Sequence, residues 1–562
     1  MKKESSWLKI SLLIWGVGLL LLADTSLAAA QSAPVRDGRF GVVESYEDPA
    51  AATSLAVSWT RVRFHWAYVQ AAGPDTWTPR VTEAQINGEL AAGRTVVGIL
   101  IGIPDWARGP DRLPAGLWLS PDDPDNTWAN YVRQAVGRYN GRINHWVIWN
   151  EPDIPDPTTP GHTWDGTITD FIQLQRVAYL VAKEINPDAV IHLSAFTHFW
   201  DPGYFDRFLA ELVTDPAAAA NNYYFDVATA HLYFQPNSIY DLLQSFYGDM
   251  ARHGLWKPIW LMETNAPPLD DPTWPVPNWT LSVTLYEQAA FVPQMMAASL
   301  AAGAQRIAIY KLKDTETDRL ANPEPFGLVR ADGSRRPAFS TYQVAVGYLG
   351  GVTAAQRERW NEVGQIRLLQ ADRSTTVLFA RLPAPQVAEV VAVAETAVLA
   401  DMWGTTRTIT AQDGVFRIEL PPALCTQPIG DYCMIGGNTY YLVQSLSGGV
   451  PPIGMPAPGA APLLMPGETA DSFPVEVTPT PTAAATEPPE AAITDSPSVT
   501  PSATVIVIET AVAPTPYPTQ TPPPAAAPPI TEATTAQTSY WLLGLALLLG
   551  LGLLWYVGRG QR

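Results

Sequence analysis

Residues 145–152 read His-Trp-Val-Ile-Trp-Asn-Glu-Pro. An apolar strand candidate, His145–Trp149, runs straight into two polar side chains, Asn150 and Glu151. A second stretch has the same form: Ile259-Trp260-Leu261-Met262 runs into Glu263-Thr264-Asn265. Around these two, short apolar strands alternate with helical stretches from Gly38 to about Tyr348. The other strand candidates are Phe40–Ser45, Trp59–Trp66, Thr95–Ile103, Val190–Phe196, Phe225–Tyr233 and Arg306–Leu312, with Pro258–Met262 carrying the second stretch. Helix candidates include Thr127–Tyr139, Thr169–Ile185 before the stop signal Asn186-Pro187, and Tyr286–Ala302 before Gly303. Eight β-α units over residues 38–348 predict a (β/α)8 barrel. An open doubly wound sheet would carry a Gly-rich phosphate loop after an early strand, and the sequence has none.

Beyond the barrel the texture changes. Residues 352–447 hold short alternating strands, at Gln365–Gln370, Thr375–Ala380, Glu389–Val393, Val415–Glu419 and Thr439–Val443. Turn signals such as Asp413-Gly414 and Gly436-Gly437-Asn438 separate them, which predicts a small antiparallel β-sandwich. Cys425 and Cys433 fall in its loops and are expected to form a local disulfide after export.

The chain has 562 residues, 47% hydrophobic and 16% charged, a globular composition that excludes wholesale disorder. Its net charge of −19 argues against nucleic acid and anionic lipid as partners. With two Cys, neither a disulfide-dense scaffold nor a cysteine zinc module is possible. Residues 1–30 have a basic start, an apolar run from Ile10 to Leu22 and Ala28-Ala29-Ala30, the pattern of a secretory signal peptide. Residues 451–539 hold 21 Pro, eight Asp or Glu and no Lys or Arg, the composition of an extended, disordered stalk. The apolar run Trp541–Val557 then predicts one transmembrane helix, with Arg559 and Arg562 on the cytoplasmic side. The expectation is an exported protein, anchored in the cytoplasmic membrane with its folded part outside the cell.

In a barrel, catalytic side chains sit at the C-terminal ends of strands. Asn150-Glu151 and Glu263 occupy two such ends. Two carboxylates brought by different strands onto one rim are what glycosidic bond cleavage needs: one protonated to assist the leaving oxygen, one ionised to attack the anomeric carbon. No His forms an H-x-x-x-H pair, so neither a catalytic metal nor a cofactor is expected.

These motifs resemble those of clan A, the large clan of retaining glycoside hydrolases built on (β/α)8 barrels, most closely families 39 and 5. There the acid/base Glu follows an Asn at the end of strand 4, and the nucleophile Glu ends strand 7. The resemblance assigns Glu151 as acid/base, Glu263 as nucleophile and Asn150 as the partner of the sugar 2-hydroxyl. Val62-Arg63-Phe64-His65-Trp66 resembles the strand 2 pattern whose Arg contacts the nucleophile, which implies that Arg63 holds the Glu263 carboxyl ionised. His231 and Tyr233, in Asp226–Tyr233, resemble the strand 6 residues flanking the nucleophile. Pro104-Asp105-Trp106 resembles a Pro-x-Trp ending strand 3. Phe326–Val329 with Arg336–Phe339, and Asp401–Gly404 in the sandwich, also have counterparts. Where the clan usually ends strand 8 in a Trp, this chain has Ile309-Tyr310-Lys311, and Tyr310 can stack on a sugar face. Trp118, Trp164, Trp200, Trp274 and Trp279 are further candidate sugar platforms, each with core packing as its alternative. The resemblance implies a carboxyl separation of about 5–5.5 Å and a double-displacement mechanism on extracellular poly- or oligosaccharide. A catalytically silent carbohydrate-binding surface protein on the same fold is the alternative.

Overall fold

A computed structural model describes residues 36–446, except 160, 277–280, 282 and 319–323. The signal-peptide, stalk and membrane-helix segments, and Trp279, lie outside the described residues. Among the described residues no helix is long and apolar enough to cross a membrane.

Strands buried on both faces need near-continuous apolar sequence, and the first half of the chain supplies it. Strand β3, Thr95–Ile101, reads Thr-Val-Val-Gly-Ile-Leu-Ile and is buried everywhere but its first residue. With it, β1 Phe40–Val43, β2 Trp59–His65, β4 His145–Ile148, β5 Val190–Phe196, β6 Val227–His231, β7 Ile259–Thr264 and β8 Ala304–Ile309 form a closed barrel in sequence order. All the pairings are parallel, and β1 closes on β8 through Val42 opposite Ile309. Inside the barrel Trp59 packs on Trp260, with ring centroids 5.2 Å apart. Gly41 makes room for Trp59, since a Cβ there would lie 2.4 Å from its ring.

The helix Thr127–Tyr139 matches its expected bounds. Ile168–Ile185 and Leu285–Ala301 each start one residue earlier than expected, because Thr167 with Asp170 and Thr284 with Glu287 close capping boxes at their N-termini. Strand β7 runs two residues beyond its expected end. Its pairing with β8 resumes at Thr264 opposite Ile309 after a register shift, so Glu263 is held inside the ladder.

After the helix Pro337–Leu349 the chain turns into antiparallel sheets. The larger has the order β14-β13-β18-β11-β10-β9. Its strands are β9 Ala354–Trp360, β10 Val363–Leu369, β11 Arg373–Ala380, β13 Thr396–Asp401, β14 Thr406–Thr410 and β18 Tyr440–Ser445. A two-stranded ribbon, β12 Gln386–Val391 with β15 Val415–Leu420, packs against one face through Leu378, Leu399, Phe416, Ile418 and Leu442. The other face contributes Ile366, Val377, Phe379 and Tyr441 to the barrel's own core. A hairpin of β16 Pro428–Ile429 and β17 Tyr432–Cys433 is tied by a Cys425–Cys433 disulfide. Strands β9, β13, β14, β16 and β17 have no counterpart among the expected ones. β9 and β14 are the two edges of their sheet and carry mixed polar sequence, so they lack the apolar alternation that announces a strand.

Gln294 joins the two layers. Buried in the helix Leu285–Ala301, it donates to the Gly437 carbonyl at 2.9 Å and accepts from the Gly436 N–H at 3.0 Å. Gln294→Leu leaves both backbone groups buried and unpaired, at a cost of about 2 kcal/mol. Denaturant unfolding of the variant should show that loss; an unchanged midpoint would mean that apolar contact alone holds the layers together.

Candidate active site

Glu151 and Glu263 meet at the C-terminal mouth of the barrel, both buried. The chain leaves β4 in an unusual way: Trp149 has φ 71° and Glu151 has φ 45°. Both lie in the left-handed region that non-glycine residues adopt at a cost of about 1–3 kcal/mol, a feature that concentrates at functional sites. Local bonds hold it. The Glu151 N–H donates to the Ala195 carbonyl at 3.0 Å, the Trp149 indole N–H to the Thr163 hydroxyl at 3.0 Å, and that hydroxyl to the Asn150 carbonyl. Asp153 anchors the next turn by accepting from the Thr197 N–H, the Thr197 hydroxyl and the His198 N–H at 2.8–3.0 Å.

Glu263 is more fully held. Its Oε1 accepts from the Arg61 guanidinium, and its Oε2 accepts from the Tyr233 hydroxyl at 2.5 Å. His231 stands between the two carboxylates, with Nδ1 2.6 Å from Glu151 Oε1 and 3.6 Å from Glu263 Oε2. An oxygen of Glu151 and an oxygen of Glu263 lie within 4.8 Å of each other. Glu151 Oε2 is buried with no partner.

The arginine on Glu263 is Arg61, where the resemblance pointed to Arg63. Both face the barrel interior, two residues apart on β2, but they sit at different depths. Arg61 is level with Glu263. Arg63 lies one layer nearer the mouth, where its guanidinium is 3.4 Å from Glu44. Glu44, just after β1, also accepts from the Lys311 ammonium at 2.7 Å, and Lys311 is 3.0 Å from Asp318. Glu44 carries no motif signal; its position after a barrel strand was the only clue to it. Lys311 is thus buried as the cation of an ion cluster at the β1–β8 rim.

The electrostatics separate the two carboxyls. Burial pushes Glu151 well above the ordinary carboxyl range, and the charges of Glu263 and Asp153 push it further, against Arg61. Burial acts on Glu263 in the same sense, but the Arg61 charge, His231 and the Tyr233 hydrogen bond outweigh it and hold Glu263 below its ordinary value. Burial and the Arg61 charge bring His231 down to about 4, against Glu263, so the imidazole is neutral near pH 7. Lys311 and Arg63 overcome burial and hold Glu44 down at about 2. The mouth therefore presents one protonated and one ionised carboxyl side by side.

The remaining candidates divide. Asn150 and Tyr233 are buried at the mouth. Tyr310 is also buried, edge-on to Phe326 at 5.4 Å, and the Tyr310–Lys311 peptide is cis. Trp106 is 38% exposed and lines a groove of about 660 Å3 with His65 and Trp149, while its indole N–H donates to the Gln70 carbonyl. Trp118 is exposed; Trp164 and Trp274 are buried and Trp200 half-buried. Among the described residues, Glu151, His231 and Glu263 are the one group whose donor atoms converge as a metal site requires. Arg61 already supplies a positive charge to that group, and a dication beside it would be repelled.

No known protein-family profile matches the chain. Solved structures do match in fold. A family 39 glycoside hydrolase from the gut symbiont Bacteroides cellulosilyticus WH2 aligns over 73% of this chain and 81% of its own, with 16% identity and a TM-score of 0.52. A monomeric β-xylosidase from Caulobacter crescentus CB15 aligns over 74% and 98%, with 13% identity and a TM-score of 0.47. A GH39 enzyme from Xanthomonas axonopodis pv. citri aligns over 73% and 94%, with 14% identity and a TM-score of 0.44. The family 39 structure from Bacteroides cellulosilyticus thus shares the barrel fold of this chain.

The difference between Arg61 and Arg63 is open to test without assuming any activity. Arg61→Met should raise the titration midpoint of the Glu263 carboxyl, because its largest stabilising charge is gone. Arg63→Met should instead raise that of Glu44. Infrared difference titration of the carboxylate bands, with Glu263→Gln and Glu44→Gln identifying each band, reads both; a larger effect of Arg63 on Glu263 would reverse the assignment.

Proposed function

We propose that the chain is a retaining glycoside hydrolase that cleaves poly- or oligosaccharide by double displacement. The observation that carries this reading is the separation of the two carboxylates, within 4.8 Å at their nearest oxygens. Retaining enzymes hold the pair about 5–5.5 Å apart, whereas inverting ones leave about 6.5–9.5 Å for a water. The opposite protonation tendencies of Glu151 and Glu263 support it. They also disfavour a silent binder, which has no need of a buried pair tuned apart.

In the first step the Glu263 carboxylate attacks the anomeric carbon while Glu151 gives its proton to the glycosidic oxygen. The bond from the anomeric carbon to that oxygen breaks, the leaving sugar departs as an alcohol, and a glycosyl ester forms on Glu263. An arginine N–H can only donate, so His231 Nε2, 3.4 Å from Arg61, is the accepting nitrogen and Nδ1 bears the proton. Nδ1–H then donates to Glu151 Oε1, which leaves the unpartnered Oε2 as the oxygen that carries the acid proton towards substrate. Esterification removes the Glu263 charge, the second cause of the raised Glu151 value after burial. Glu151, which has already given its proton to the leaving sugar, then stays ionised more readily; in the second step it takes a proton from the water that attacks the anomeric carbon as the bond to Glu263 breaks. Tyr233 donates to the same carboxylate that must later leave as an anion, which favours release. Asn150 binds the sugar 2-hydroxyl. Surface display belongs to the same proposal and rests on the sequence patterns of residues 1–30, 451–539 and 541–557.

A polysaccharide panel (β-glucan, xylan, mannan, galactan) with the full chain, reading released reducing ends, identifies the substrate. NMR of the first-formed product should show retained anomeric configuration; inversion would rule the mechanism out. The pH profile should lose activity on the acid side as Glu263 is protonated, and on the alkaline side as Glu151 is deprotonated. Glu263→Gln should nearly abolish turnover of every substrate. Glu151→Ala should slow poor leaving groups by about 10²–10⁴, and azide should release its accumulated intermediate as a glycosyl azide of retained configuration. Azide rescue of Glu263→Ala to a retained product would exchange the two roles.

A further inference from the structure

Two residues past Glu263 stands a polar side chain whose bonding capacity is spent inside the protein. Asn265 is fully buried. Its amide nitrogen donates to the carbonyls of Tyr310 and Phe326, both at 2.7 Å. Its side-chain oxygen accepts from the Ala266 N–H at 2.7 Å and from the Gln288 amide at 3.4 Å. A primary amide has two hydrogens and two lone pairs, so nothing is left over for a substrate. Asn265 instead ties the end of β7 to the end of β8 and to the segment that carries Phe326.

The Phe326 turn is held from its other side as well. The Gly327 N–H donates to Asp314 at 2.7 Å, and Arg336 bonds both Asp314 and the Gly327 carbonyl. Asp271, from the loop after β7, accepts from Arg336 at 2.6 Å. No larger residue fits at 327, since a Cβ there would lie 2.4 Å from the Val329 carbonyl oxygen. The Phe326 ring is therefore fixed in place, and it is buried edge-on to Tyr233, with centroids 5.9 Å apart.

Tyr233 is the residue whose hydroxyl donates to Glu263 Oε2. Its backbone is set by its neighbours, because the Leu232 N–H donates to the Glu263 carbonyl and the Phe234 N–H to the Asn265 carbonyl. The ring itself is set by packing. Arg61 on β2, Glu151 after β4 and His231 on β6 also face the Glu263 carboxyl, with Arg63 and Tyr310 farther out. Among the described residues the rings against Phe326 are those of Tyr233 and Tyr310. Of the groups bonded to Glu263, Tyr233 is thus the one that Phe326 supports. A site group must stay within about 0.5 Å of its working geometry, and its supporting residues set that tolerance.

We infer that Asn265 is a positioning residue for the proposed nucleophile: it fixes Phe326, and Phe326 keeps the Tyr233 hydroxyl on Glu263. The inference rests on the glycosidase reading for the role of Glu263, while the path from Asn265 to its carboxyl is independent of that role.

Against burial, the Arg61 charge, His231 and the Tyr233 bond hold Glu263 down, so loss of that bond raises its titration midpoint. The full chain is compared with Tyr233→Phe, Asn265→Ala, Phe326→Leu and the double variant Tyr233→Phe/Asn265→Ala. Infrared difference titration reads the midpoint, with Glu263→Gln marking the band. Tyr233→Phe should raise it by about one pH unit, the loss of one hydrogen bond to a charged group. Asn265→Ala and Phe326→Leu should raise it in the same direction, and the double variant should rise no further than Tyr233→Phe alone. Phe326→Leu keeps the carbonyl that Asn265 binds, so it carries the test if Asn265→Ala fails to fold. A purely structural Asn265 would lower the unfolding midpoint and leave the Glu263 band where it was. An unmoved band in Tyr233→Phe, or in Asn265→Ala and Phe326→Leu, or shifts that add in the double variant, overturns the inference. On a substrate that the unaltered chain turns over, the acid limb of kcat/KM should move to higher pH in the same variants. No turnover by the unaltered chain counts against the glycosidase reading, and the titration still decides the positioning role.

Discussion

The Arg61–Glu263 ion pair is the constraint on which the site depends. Two carboxylates whose oxygens approach within 4.8 Å in a buried mouth cannot both be ionised without a large Coulomb cost. One guanidinium on one of them breaks the symmetry. Glu263, bonded to Arg61 and Tyr233, takes the charge; Glu151, bonded only to an imidazole, keeps the proton. The barrel makes this possible because β2, β4, β6 and β7 each deliver one side chain to the same level. No single strand could bring a cation, a neutral imidazole and two carboxyls together at one point.

The second constraint is the shape of the chain after β4. Left-handed residues on either side of Asn150 turn Glu151 into the mouth. The bonds from Thr163, Ala195, Thr197 and His198 keep it there, so the strain is offset by neighbouring segments rather than by the motif itself. The same bonds leave Asp153 with one oxygen committed and one open.

Much of this was legible in the sequence. Buried parallel strands have an apolar signature, and two carboxylates ending such strands made Glu151 and Glu263 legible, while His231 and Tyr233 followed from the resemblance of Asp226–Tyr233 to strand 6 of the clan. Arg61 did not. On β2 the two-residue alternation turns both Arg61 and Arg63 inward, and only the barrel's stagger decides which is level with Glu263. Glu44 and Asp153 stayed hidden because the groups they bond, Arg63 and Lys311 for one and Thr197 and His198 for the other, lie far away in sequence. Edge strands β9 and β14 were missed because solvent on their exposed sides relaxes the alternation that marks a covered strand.

The central claim, that Glu263 is the nucleophile of a double displacement, is tested most directly by trapping. A 2-deoxy-2-fluoro glycosyl fluoride of the preferred glycone slows both steps but keeps an activated leaving group, so a covalent ester should accumulate. Peptic digestion and mass spectrometry should then find one sugar on the peptide containing Glu263, with the mass of one 2-deoxy-2-fluoroglycosyl group. A sugar on Glu151, or time-dependent inactivation with no labelled carboxylate, would contradict the account.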